Sequence, residues 1–152
     1  MVNALDMLRD DHAALRRLLA DIDRTPPRRV MTRARLFTQL RERFGHHEVV
    51  QEQLLYPVLE HRDRLPVPGE DGRRVHAELD GLMADLLAVT FDDRAWDARY
   101  AALRPRLERH LDEEEADLFD RVRDALSQRE LDQLGRRIGL QRESSRSVTP
   151  PA

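Results

Sequence analysis

The chain has 152 residues, enough for one domain with its own core, and no cysteine, which excludes disulfides, thiolate metal ligands and thiol redox chemistry. Its net charge of −3 comes from 29 acids interleaved with 26 basic residues, every one an arginine, and without a basic stripe nucleic acid is not an expected partner. No apolar run approaches the roughly 20 residues that span a bilayer, and the start shows no secretory pattern, so the sequence reads as soluble and cytoplasmic, with no membrane partner.

Breaker clusters at 24–29 (RTPPRR), 62–72 (RDRLPVPGEDG) and 90–97 (TFDDRAWD) separate long segments whose apolar residues recur three and four apart, the helical period. That spacing predicts helices over 3–23, 29–62, 71–90 and 94–127, with a short fifth helix over 128–138. The expected organisation is one all-α bundle, residues 1–140, followed by a disordered tail, 141–152, whose composition is polar and ends near Pro-Pro. Pro57 and Pro105 fall inside predicted helices and should kink them.

On the first helix, Leu5, Leu8, His12, Leu15, Leu19 and Ile22 share one face, so His12 occupies a core position. On the second, Phe37, Leu40, Phe44, His47, Gln51, Leu54 and Val58 form the seam, with His47 and Gln51 at its centre. His46 lies one residue off, and Glu48 and Glu52 are rotated away by roughly 80° and 120°, which makes all three flank or solvent residues. His61 lies roughly 21 Å along the axis from His47, too far to share its surroundings. On the third helix His76 lines up with Leu79, Met83 and Leu86. On the fourth, Leu103, Leu107, His110, Leu111, Glu114, Leu118 and Val122 share a face, with Glu115 about 100° beyond Glu114.

Each helix thus buries one histidine. Burying a polar group without a partner costs on the order of 1–3 kcal/mol, and four imidazoles around one axis have few partners but each other, so a shared cation is the simplest resolution. His47 with Gln51 and His110 with Glu114 are i, i+4 pairs that aim donors inward from adjacent turns. Imidazole nitrogen with carboxylate oxygen suits iron and manganese.

The motifs "DDHAAL" at His12, "HEVVQEQLLYP" from His47, "VHAEL" at His76 and "HLDEEEADLF" from His110 stand in the order and at the separations of a known pattern. Over roughly residues 5–125 the chain resembles the haemerythrin-like proteins, or HHE cation-binding domains. The resemblance implies an up-down four-helix bundle with a non-haem di-iron centre in its core, used to bind dioxygen, to sense, or to handle peroxide and nitric oxide. The chain departs from the pattern at two positions. Gln51 stands where the family has a bridging glutamate, and an amide offers one neutral oxygen and an NH₂ that cannot ligate. Gly72 stands four residues before His76, where longer versions carry a second histidine; Asp71 is a substitute if the helix starts early enough. Helical geometry favours Glu114 over Glu115. Tyr56 lies half a turn off the seam, an interface residue with a solvated hydroxyl unless Pro57 turns it inward, and Trp96 and Tyr100 cap the bundle end.

The expected metal set is therefore His12, His47, His76, His110, Glu114 and Glu115, with Gln51 as its doubtful member. It is expected to hold non-haem iron, one firm or two weak, or another divalent metal. The expected partner is a small oxidant, dioxygen, peroxide or nitric oxide, on a monomer or weak homo-oligomer. No catalytic residue is assigned. Two other classes stay open: an iron-dependent oxidative enzyme acting on an organic substrate, and a metal-poor bundle serving as a binding or regulatory module.

Overall fold

The architecture comes from a computed structural model described for residues 3–62 and 68–147, the side chains of 68–70 and 146–147 excepted. Every regular element among the described residues is helical, arranged as an up-down four-helix bundle with a fifth helix laid against it. α1 spans Ala4–Asp23, opened by Asn3, whose side-chain oxygen accepts the Asp6 N–H at 3.1 Å. The second rod is α2 (Val30–Val50), a π turn over Gln51–Leu55, and α3 (Tyr56–Arg62). α4 covers Pro68–Leu87. The fourth rod repeats the second: α5 (Arg94–Glu113), capped by Asp93 and running through Pro105, a π turn over Glu114–Leu118, and α6 (Phe119–Ala125). Of the breaker at 62–72, residues 63–67 lie outside the described residues.

The fifth helix differs from expectation. α7 spans Gln128–Ser147 and so continues into the segment read as tail; residues 148–152 lie outside the described part. It begins with a capping box in which Ser127 and Glu130 each accept the other's backbone N–H. Leu131, Leu134 and Ile138 dock it against α1 and the first π turn. Beyond Ile138 no residue among the described side chains of the helix supplies a buried apolar anchor, and the sequence signal fades there; the helix is held further along by Arg142, which donates to Asp11 Oδ1 at 2.6 Å.

Two apolar clusters fill the interior. One packs Leu15, Leu19, Phe37, Leu40, Trp96 and Leu103; the other packs Leu5, Leu8, Leu55, Tyr56, Phe119 and Ile138. Trp96 and Tyr100 stack face to face, ring centroids 5.3 Å apart, inside the first cluster, and the Tyr100 hydroxyl donates to the Leu19 carbonyl at 3.0 Å. The histidine rings lie where the two clusters meet, with Phe44 of the first and Phe119 of the second packed against them.

Candidate metal centre

The two π turns set up the site. In each, a backbone N–H reaches five residues back instead of four: Tyr56 to the Gln51 carbonyl, and Phe119 to the Glu114 carbonyl. The seam pairs His47/Gln51 and His110/Glu114 therefore each end on the first residue of a π turn. Such turns insert one residue into the helical count and favour functional positions. In the second rod the insertion rotates the residues beyond it, so Leu55, Tyr56 and Leu59 are buried, while Leu54 and Val58, expected on the seam, are half-buried. Tyr56 is 1 % exposed, which corrects its reading as an interface residue with a solvated hydroxyl. Pro57 comes directly after it, but the π turn at Glu114 has no proline, so proline is not required to make one.

Glu114 is the centre of the cluster. It is 5 % exposed, and His12, His47, His76 and His110 are between 0 and 4 % exposed. One nitrogen or oxygen from each of His47, His76, His110 and Glu114 lies within 4.8 Å of all the others. His110 Nε2 contacts Glu114 Oε1, and His47 Nε2 lies 3.2 Å from the same oxygen. His12 stands beside this group, its Nε2 3.7 Å from Glu114 Oε2 and its ring centroid 5.0 Å from that of His47.

Carboxylates accept hydrogen bonds, and this fixes two tautomers. His12 Nδ1 lies 2.9 Å from Glu115 Oε1, so Nδ1 carries the proton and Nε2 presents a lone pair toward Glu114. His76 Nδ1 lies 3.3 Å from Glu52 Oε1, so its Nε2 likewise presents a lone pair. Among the described residues His12 Nε2, His47 Nδ1, His76 Nε2 and His110 Nε2 are buried without a hydrogen-bond partner. Burial pushes the Glu114 carboxyl up, but the field of His47 and the close approach of the His110, His12 and His47 rings outweigh it and hold the group well below the usual range. Imidazole lone pairs gathered around an ionised carboxylate are arranged for a cation, so the residues present fit a metal ion.

Glu115 does not join the central group. Its carboxylate accepts from Arg16 Nη1 at 2.6 Å and from His12, and the Arg16 bond, ahead of opposing burial, holds it below the usual range. It orients His12 in the way that outer carboxylates orient metal-ligating histidines. Glu52, expected at the flank, does the same for His76. Glu48, also expected there, is half-buried, and its carboxyl is pushed up to about 9 by burial, by a hydrogen bond with Asp80 and by the charges of Asp80 and Glu52. The signal that could have found Glu52 is its separation of four residues from Glu48 on the side of α2 facing α4, which a single-helix wheel cannot assign to a neighbour.

Gln51 is fully buried, with its NH₂ against Glu114 Oε2 and its Oε1 accepting from the Tyr56 hydroxyl at 2.9 Å. Asp71 is no substitute ligand. α4 does start before it, but its side chain is 75 % exposed and paired with Arg74. His46 is half-buried outside the cluster and His61 is exposed.

The hemerythrin HHE cation binding domain model matches residues 3–122. Among solved structures, a hemerythrin HHE cation binding domain-containing protein from Mycobacterium kansasii superimposes with a TM-score of 0.85 at 24 % identity, over 97 % of this chain and 89 % of that one. No curated protein sequence matches the chain. On the family match, the chain belongs to the hemerythrin HHE cation-binding domain family.

Proposed function

We propose that this HHE domain is a non-haem iron protein that binds, senses or reduces a small oxidant: dioxygen, peroxide or nitric oxide. The observation that carries the reading is the set of buried, unpartnered imidazole nitrogens gathered around the ionised Glu114. His47, His76, His110 and Glu114 would hold the metal, with His12 as a further donor on the Glu114 Oε2 side. Iron, when bound, supplies electrons and an open coordination position. The protein supplies orientation and dryness: Glu115, fixed by Arg16, and Glu52 hold the Nδ1 protons of His12 and His76, while Phe44 and Phe119 pack against the rings. Every inward donor is at most 5 % exposed, which favours a ligand of a few atoms over an organic substrate that would have to displace the bundle wall.

The test is metal analysis of protein purified without chelators, followed by absorption spectra of the ferrous protein before and after dioxygen, hydrogen peroxide or nitric oxide. Iron in the purified protein and a spectral change with at least one oxidant are expected. Zinc as the sole metal, or an iron protein inert to all three, would overturn the reading.

A further inference from the structure

Gln51, Tyr56 and Gly72 form one connected unit at the edge of the cluster. Glu114 presents two oxygens, and they face different company. Oε1 meets His47 and His110. Oε2 meets His12 Nε2 and the Gln51 NH₂. An amide NH₂ offers hydrogens and no usable lone pair, so it satisfies a carboxylate oxygen while repelling a cation from it.

The orientation of that amide is determined. Reversed, Gln51 would set its carbonyl oxygen against an ionised carboxylate oxygen, two acceptors in contact. As placed, Oε1 turns away from Glu114 and accepts the Tyr56 hydroxyl at 2.9 Å. The phenol reaches this position because residue 72 has no side chain. A Cβ there would lie 2.6 Å from Tyr56 Cζ and closer still to the hydroxyl oxygen, in contact with a fully buried ring. Position 72 is one turn before His76, on the same face of α4, so Tyr56 fills the volume that a longer residue there would use to reach the cluster.

We infer that Tyr56 and Gly72 are positioning residues that fix Gln51 as a donor to Glu114 rather than to metal, and that the Gln51 NH₂ takes up Glu114 Oε2, so that this carboxylate cannot bridge to a second cation and the site holds one. The inference rests on the metal-binding reading above and specifies its stoichiometry. Gln51 is then not a ligand; it orients the Glu114 carboxylate as Glu115 and Glu52 orient two of the rings.

The experiment loads the full chain anaerobically with excess ferrous iron, desalts it and counts iron per chain by elemental analysis. Paramagnetic resonance is then recorded after oxidation, where an isolated ferric ion gives a signal and a coupled pair is silent. The unmodified protein is expected to hold about one iron, and Gln51→Glu, which replaces the NH₂ by a charged oxygen of nearly the same shape, about two. Tyr56→Phe is expected to keep the count but weaken iron affinity about 10- to 100-fold, the usual effect of losing an orienting partner. Tyr100→Phe, which removes a buried hydroxyl remote from the cluster, should leave affinity unchanged. Two irons in the unmodified protein, no gain in Gln51→Glu, or unchanged affinity in Tyr56→Phe would each overturn the inference while leaving a metal protein in place. No iron in any of them would overturn both readings.

Discussion

The two rods that carry the π turns differ at one atom of chemical consequence. Both place a histidine, then four residues on a π turn with an inward polar group, but one turn presents the Glu114 carboxylate and the other the Gln51 amide. The backbone device is the same, and the head group decides the role. Glu114 gathers histidines from three other helices because it is charged, and Gln51, of nearly equal size, spends its amide on Glu114 and Tyr56. The same backbone geometry therefore delivers two chemistries: a carboxylate whose charge attracts a cation, and an amide whose NH₂ does not.

The sharpest break in this comparison is Glu114→Ala. Removing the carboxylate at the centre of the cluster should reduce metal affinity by more than the roughly 10- to 100-fold that loss of an orienting partner costs. Glu115→Ala, which only frees His12, should stay within that range. Equilibrium metal competition against a chelator checks both, and equal losses would mean that the two acids have been given the wrong ranks.

The histidines come next. His47→Ala should lose most bound metal, whereas His46→Gln and His61→Gln should keep it, because those rings lie outside the cluster. Elemental analysis reads the difference, and comparable loss at His46 would put the register of α2 in error.

Acid should weaken the site in two ways. Metal retention should fall between pH 8 and pH 5, since protons compete for neutral imidazoles with an ordinary pKa of about 6.5. The buried His76 should cost the metal-free protein stability over an overlapping range. Burial, with the field of His110 added, pushes His76 down to about 3, against the opposing charge of Glu114. Below the ordinary histidine value of 6.5 the unfolded chain takes up a proton that the folded one refuses, so stability falls from there toward pH 3. Glu114, held below the ordinary glutamate value of 4.5, contributes stability above that value and loses it as pH falls through its lower folded pKa. Glu48, pushed up to about 9, acts with the opposite sign, because the folded chain keeps a proton there that the unfolded chain releases above 4.5. The His76 contribution is therefore read against His76→Gln: apoprotein of the unmodified chain should lose melting temperature relative to that variant as pH falls from 7 to 4, and a constant difference would contradict the burial of a neutral His76.

The smallest expected effect separates three glycines. Gly72→Ala should cost about 1–3 kcal/mol by driving a Cβ into the Tyr56 ring. Gly45→Ala and Gly81→Ala, in helix interiors where a Cβ meets nothing within 4 Å, should gain about 0.5–1 kcal/mol each. Denaturant titration resolves this difference of sign.

The sequence by itself determined the bundle, the order of its helices and the five side chains that meet in its core. Each of His12, His47, His76, His110 and Glu114 stands at helical spacing from its apolar neighbours, and a strictly local period carries that information along one chain segment. The same reasoning ranked Glu114 ahead of Glu115 and set His46 and His61 aside. Tertiary structure alone decided what surrounds them. A helical wheel assumes 100° per residue, so it could not foresee the π turn that carries Tyr56 inward and moves Leu54 and Val58 to the margin. It also treats each helix alone, so the link from Glu52 to His76, the pairing of Arg16 with Glu115, and the fit of Tyr56 into the space over Gly72 were invisible, being contacts between different helices. The length of α7 belongs with these, because its polar C-terminal turns carry no apolar signal and depend on Arg142 finding Asp11 across the bundle. Periodicity fixes which way a side chain points; the neighbours it meets depend on the rest of the fold.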